Sequence, residues 1–307
     1  MLNAYVLGRA FSDGKYRKIF RERLSEPLHL NLLSLGVALF GSYRTKVEFD
    51  LMVRQQYAFP VLFAADAAKK LGLSKIVVLE FGVATGAGLM NLCQLAERTE
   101  RETGVTIEVV GFDTGTGMPP ALDYRDLPEY FQEGDFPMDF EALRQALPPR
   151  ARLVIGPVEE TIPDFLATVM EDAPIGFISI DVDYYSSAVH TLPILTGRPE
   201  QYLPITPVYL DDVAMDGANP WNGELLAVAE FNVAQPLRKV APFTLLRSKR
   251  IFKNAGWIDR MYAAHIHNHP TRTPATAKRA EKALIRNEYL RYKAPIQPQP
   301  GSNRAGA

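Results

Sequence analysis

From residue 49 to residue 73 the apolar positions return at helical spacing, and the run closes on Lys69, Lys70 and Gly72. A basic last turn followed by glycine predicts a helix end there, with Pro60 placed to kink the helix. Beyond it the pattern changes. Short, near-continuous apolar runs at 76–81, 107–112, 153–155, 175–180 and 207–210 alternate with helical stretches at about 87–103, from about 186, and at 223–233. Strands that are apolar on both faces and separated by helices belong to a parallel sheet covered on both sides. Two further runs, 243–247 and 257–265, flank the turn residues Asn254, Ala255 and Gly256, and predict an antiparallel pair at the end of the sheet. The pattern therefore predicts an α/β chain: a doubly wound, Rossmann-like three-layer sandwich. Its seven-stranded sheet is mostly parallel, with an antiparallel C-terminal strand pair, and N-terminal helices precede it.

Three segments follow from this reading: helical 1–72, the α/β domain 73–270, and a tail 271–307. The apolar stretch 28–41 is interrupted by His29, Asn31 and Ser34 and is shorter than the roughly 18 to 20 residues that span a bilayer. Lys15, Arg17, Lys18, Arg21 and Arg23 precede it, but no small-residue cleavage site follows, so a secretory signal is not expected. We expect a helix packed on the main domain or on a partner, including a homo-oligomer built through the N-terminal helices. Residues 115–140 form a long connection rich in proline, aromatics and acids, of the kind that covers a site.

With 47% hydrophobic and 22% charged residues the chain can bury a substantial core. The net charge of −1 hides an asymmetry: from Pro270 onward eight Lys or Arg face two Glu, giving +6, and hence −7 elsewhere. A mostly acidic body, with Asp123, Asp126, Glu129, Glu133 and Asp135 on the covering loop, argues against a nucleic-acid partner. The single cysteine, Cys93, excludes an intrachain disulfide and cysteine-rich zinc sites, so a reducing, cytoplasmic setting is expected.

The segment from Val78 to Gly88 places a strand, a glycine-rich turn and a helix start in that order, where backbone can approach a ligand closely. A nucleotide phosphate loop would continue Gly-Lys-Ser/Thr, whereas Gly88 is followed by Leu89 and Met90. The spacing Gly82, Gly86, Gly88 is similar to that of short-chain NAD(P) oxidoreductases. The Tyr-x-x-x-Lys pair of that family is matched only by Tyr289 and Lys293, on the basic tail. A third owner accounts for Glu80. The run Glu80-x-Gly82-x-Ala84-x-Gly86 resembles the E-x-G-x-G-x-G turn of class I S-adenosylmethionine-dependent methyltransferases, and Asp113 supplies the acid that closes their second strand. A carboxylate at a strand's carboxyl end can accept hydrogen bonds from ribose hydroxyls. The resemblance implies cofactor contacts from Glu80, Gly82, Val83, Ala84, Gly86, Asp113 and Thr114.

Four motifs together, Glu80-Phe81-Gly82-Val83, 112–119, 181–187 and Leu210-Asp211-Asp212, resemble the macrocin O-methyltransferase family over about residues 50–270. The chain departs from that family at 84–87, where Trp-Arg-Gly-Gly is usual, at Gly115 in place of phenylalanine, and in lacking a glycine before the fifth strand. The resemblance implies methyl transfer to a hydroxyl of a small molecule such as a sugar or natural product, assisted by Mg²⁺.

Asp181 and Asp183 lie two apart at a strand end and can emerge on one side, and Asp211 and Asp212 close the next strand. Converging carboxylates repel unless a proton or cation intervenes, and an all-oxygen set favours Mg²⁺, Ca²⁺ or Mn²⁺ over zinc. We expect Asp181, Asp211 and Asp212 as metal ligands, and Asp181 and Asp183 as the catalytic pair, with Asp183 a further ligand or the base. A plainer role for Asp183 is to cap the helix starting near Ser186. His265, His267 and His269 alternate and would share a strand face. Tyr184, Tyr185 and Trp221 could stack on a ring or fill the core. A methyltransferase-like fold kept for binding or assembly is the non-enzymatic alternative.

Overall fold

The computed structural model describes residues 14–273. Helices α1 (Gly14–Leu24), α2 (Leu28–Phe40), α3 (Tyr43–Glu48) and α4 (Gln55–Lys70) precede β1 (Lys75–Phe81). The chain then runs through α5 (Ala87–Thr103), β2 (Thr106–Asp113), α6 (Phe140–Ala146), β3 (Ala151–Ile155), α7 (Val158–Thr168) and β4 (Ile175–Ile180). It finishes with α8 (Tyr185–Thr191), β5 (Ile205–Leu210), α9 (Gly223–Ala234), β6 (Arg238–Pro242), the short α10 (Leu246–Lys249) and β7 (Met261–Ile266). The seven strands lie in the order β3-β2-β1-β4-β5-β7-β6. All neighbours are parallel except β7, which runs antiparallel to both β5 and β6.

The strands have two apolar faces because each meets its own layer of helices. Ile76 and Val78 of β1 pack with Ala64, Ala65 and Ala68 of α4 and Leu89, Leu92 and Ala96 of α5. Val77, Leu79 and Phe81 turn the other way, toward Phe165 of α7, Ala188 of α8 and Phe231 of α9. Two separate cores on one sheet make the predicted doubly wound three-layer sandwich. Phe81 stacks on Phe112, with ring centroids 4.5 Å apart, and Phe165 meets Phe112 edge-on at 5.2 Å.

Two local expectations change. The helix foreseen over 49–73 begins at Gln55, after a break in which Asp50 and Arg54 both take positive φ and separate α3 from α4. The strands foreseen at 243–247 and 257–265 are β6 at Arg238–Pro242 and β7 at Met261–Ile266. Alternating burial along β6, from Arg238 to Pro242, carries the true strand, while 246–249 coil into α10 and 256–260 into a 3₁₀ turn. The basic segment from Pro274 onward, including Tyr289 and Lys293, lies outside the described residues.

The β6–β7 connection is where the N-terminal helices dock. Arg250 is buried there and donates to the carbonyls of Val47 and Glu48 at 2.7 and 2.9 Å and to Asp50 Oδ1 at 2.6 Å. Arg23 of α1 lies 3.3 Å above the Phe252 ring, and Glu22 accepts the Gly256 N–H at 3.1 Å. Among the described residues no helix is long and apolar enough to cross a membrane.

Removing one member of a buried ion pair leaves the other charge uncompensated. Arg250→Ala is therefore expected to cost about 3–5 kcal/mol in urea unfolding. A loss below about 1 kcal/mol, the range of an exposed pair, would contradict that assignment.

Candidate functional site

Four parallel strands end in one register. Phe81 of β1 pairs with Phe112 of β2 and with Ile180 of β4, and Ile180 pairs with Leu210 of β5. The ladder continues one step: Gly82 N–H donates to Phe112 O, Asp181 N–H to Phe81 O and Asp211 N–H to Ile180 O, at 3.0, 3.0 and 3.1 Å. Asp113, Gly82, Asp181 and Asp211 thus form a row along the carboxyl edge. The row spans the junction of β1 and β4, where the strand order reverses and open α/β sheets bind ligands.

Gly82 is required here. Its φ is +82°, and a Cβ would lie 1.7 Å from the carbonyl oxygen of Asp181. The turn is pinned by Asp113, whose Oδ2 accepts the N–H groups of Val83 and Ala84, each at 2.9 Å, while Oδ1 accepts that of Gly115 at 2.7 Å. Thr114 Oγ1 donates to Gly117 O at 3.2 Å and shapes the start of the following loop. Ala84 takes φ +48°, so the backbone keeps the left-handed conformation at the one motif position where alanine replaces glycine. Gly86 closes the turn, also with positive φ, as the residue before α5.

Beneath the turn, Glu80 is buried. Tyr57 of α4 donates to its Oε1 at 2.8 Å, and Ser179 of β4 donates to the Tyr57 oxygen at 3.2 Å. Glu80 Oε2 is buried without a hydrogen-bond partner. Burial pushes the Glu80 carboxyl up to about 7, against the Tyr57 hydrogen bond and nearby Arg54, which hold it down.

Asp181, Asp183 and Asp212 each bring one carboxylate oxygen within 4.8 Å of the others. Asp183 reaches that position with φ +60°, a left-handed conformation uncommon outside glycine, and the turn is tightened by Tyr184 N–H to Val182 O at 2.6 Å. Burial raises all three, and their neighbours add to it. Asp181 is driven well above the carboxylate range by burial and then by Asp211 and Asp212; Asp183 rises to about 7 and Asp212 to about 8. Asp212 Oδ2 is buried without a partner, and its N–H donates to buried Glu224 of α9 at 3.1 Å. The fourth acid of the sequence pattern, Asp211, sits differently. Its Oδ1 accepts from Arg260 at 2.9 Å and from the Tyr209 hydroxyl at 2.7 Å.

The 115–140 segment, expected to cover the site, is anchored by one of its acids. Asp126 is buried, and it accepts the Ser186 N–H at 2.8 Å, the Ser186 hydroxyl at 3.1 Å and the Leu122 N–H at 2.8 Å. It serves the first turn of α8 in the way foreseen for Asp183, which is thereby left to the acidic group. Tyr184 is fully buried, Tyr185 donates to Glu230 at 2.6 Å, and Trp221 is exposed. His265 and His267 stack at 6.0 Å, but His269 turns away and bonds Thr271. Tyr57, Ser179 and Arg260 carry no motif, and Glu224 opens a family-like stretch without a role assigned to it; the fold brings all four to this edge.

No family model matches the chain, and no curated protein does. The chain is similar to the solved structure of the calicheamicin methyltransferase CalS11, with 25% identity and a TM-score of 0.40 over 59% of this chain and 72% of that one. An apo structure of CalS11, described as a TDP-rhamnose 3'-O-methyltransferase, matches at 21% identity and TM-score 0.35 over 71% and 86%. The plantazolicin methyltransferase BpumL, in complex with a monoazolic desmethylPZN analog and SAH, matches at 11% identity and TM-score 0.30 over 83% and 91%.

Two outcomes are expected. Ala84→Gly relieves a left-handed alanine and raises stability by about 1 kcal/mol in thermal unfolding, unless the turn is held in another conformation. The raised carboxyls set a pH dependence. A group held protonated in the fold contributes stability that is complete below its unfolded value, near 4, and is lost as pH rises through its folded value. In EDTA the melting temperature should fall between about pH 5 and 8, following Glu80, Asp183 and Asp212. Glu80→Gln should shrink the fall, and a melting temperature that climbs across that interval would contradict the assignment.

Proposed function

We propose that this protein is an S-adenosylmethionine-dependent methyltransferase that methylates a hydroxyl of a small molecule, such as a sugar or natural product, with Mg²⁺ held by the strand-end acids. The observation that carries this reading is the adjacency of the glycine turn and the acidic group: the backbone of Asp181 fills the space a side chain at 82 would need. A cofactor laid on the turn and an acceptor gripped by the acids would therefore be neighbours.

The residues fit both groups. The Val83 and Ala84 amides take both acceptor sites of Asp113 Oδ2 and fix it facing the turn, while Oδ1, accepting only from Gly115, keeps acceptor capacity for a ribose hydroxyl. Three clustered carboxylates, one with a buried oxygen lacking any partner, form an oxygen-only donor set suited to a hard divalent cation. When bound, Mg²⁺ would lower the pKa of an acceptor hydroxyl and offset the repulsion among the acids.

In this reading Asp181 and Asp212 hold the cation and Asp183 receives the proton. Without a cation, burial and Asp181 push Asp183 up to about 7; a cation on Asp181 and Asp212 would bring it down and keep it the carboxylate that a proton acceptor must be. When bound, S-adenosylmethionine would supply a methyl carbon activated by its sulfonium; as the acceptor oxygen bonded to that carbon and the carbon–sulfur bond broke, Asp183 would take the hydroxyl proton. Asp211, paired with Arg260 and accepting from the Tyr209 hydroxyl, holds that arginine beside the acids.

Calorimetry with S-adenosylhomocysteine and with NAD tests the class. Binding of S-adenosylhomocysteine alone is expected; binding of NAD alone would make the protein an oxidoreductase, and binding of neither would leave an assembly role. Mn²⁺ titrated by electron paramagnetic resonance tests the acids: Asp181→Asn should weaken Mn²⁺ by about tenfold or more while leaving S-adenosylhomocysteine affinity unchanged.

A further inference from the structure

Helix α2 is built inside out. Its 13 residues, LHLNLLSLGVALF, contain three polar side chains, and two of them turn toward the protein. Asn31 donates to the carbonyls of Arg23 and Glu26 at 3.0 and 3.3 Å, and buried Ser34 donates to Asn31 O at 2.7 Å. The leucines face outward: Leu28 is 74% exposed, Leu32 59%, Leu35 47% and Leu39 64%, with Leu33 at 58% and Phe40 at 88% beside them. A surface helix normally has the opposite arrangement.

The spacing of the outward leucines identifies what covers them. Leu28, Leu32, Leu35 and Leu39 are separated by four, three and four residues, the a/d seam of two heptads, which keeps apolar side chains facing a partner helix. Gly36 lies next to this seam, and a Cβ there would meet nothing within 4 Å, so a second backbone can come close. The 4-3-4 spacing is symmetric about the midpoint of Leu32 and Leu35. A twofold axis through that midpoint sets Leu32 against Leu35 of a second copy, and Leu28 against Leu39, in an antiparallel pair. Four exposed leucines in one row, with Leu33 and Phe40 beside them, make a contiguous apolar patch of the kind that marks an interaction site on a soluble chain. At about 1.5 Å per residue the helix is some 20 Å long, too short to cross the roughly 30 Å hydrocarbon core.

We infer that the α2 seam is a homodimer interface, in which two copies of this chain pair their outward leucines across a twofold axis. Sedimentation of the full chain at micromolar concentration should give twice the 34.2 kDa of one chain. Leu32→Glu and Leu35→Glu, separately and together, should return it to one chain mass. Circular dichroism and melting should stay close to wild type, because both side chains are already in solvent. Should a glutamate variant fail to fold, the double variant Leu28→Cys/Leu39→Cys serves instead: the two positions are too far apart on one helix to pair within a chain, and Cys93 is buried, so oxidation should trap a covalent dimer. A wild-type monomer overturns the inference, whether it pellets with phosphatidylserine vesicles, which would make the seam a lipid surface, or stays free of them. A dimer that survives the glutamates, or cysteines that do not cross-link, overturns it as well.

Discussion

The structure depends on one constraint, the common register in which β2, β1, β4 and β5 end. Parallel strands have evenly spaced hydrogen bonds, so one register brings the first residue beyond each strand onto a single line. Asp113, Gly82, Asp181 and Asp211 occupy that line. Everything chemical about the edge follows from which of these positions can carry a side chain. Position 82 cannot, because its neighbour's carbonyl is already there.

The same alignment creates an electrostatic problem that the protein resolves only in part. Asp211 is matched by Arg260, and Glu80 shares its burden with Tyr57. Asp181, Asp183, Asp212 and Glu224 have no cation within ion-pair distance among the described residues and are all raised. Buried carboxylates left in this state hold protons or attract a counter-ion. The pH dependence of stability and the divalent-cation binding proposed above are then two expressions of one unfavourable arrangement. A left-handed Asp183 adds backbone strain to it, and strain of this kind persists where surrounding structure over-determines a residue.

Much of this was legible in the chain. Strands buried on both faces announce themselves as unbroken apolar runs, so β1, β4 and the helix over 87–103 were found at or within a residue of their limits. The acids were visible because their strands end abruptly in Asp. The last two strands were misplaced because β6 carries Arg238 and Lys239 in a stretch too polar to stand out, whereas the apolar 243–247 pack as a loop and short helix. Pairing choices were not legible. Arg260 meeting Asp211, and Asp126 rather than Asp183 serving α8, depend on segments 49 and 60 residues away, and no local spacing encodes them.

The Asp126 anchor ties two parts of the edge together. Its carboxylate grips the residue that opens α8, and that helix follows directly on the turn that aims Asp183. Lifting the 115–140 segment would strip the helix start of its acceptor, a loss of about 0.5–2 kcal/mol by the measure of other caps. The position of the 115–140 segment and that of the helix start beside Asp183 are therefore coupled. The segment behaves as a latch whose catch is the first turn of α8, directly beside the strained Asp183.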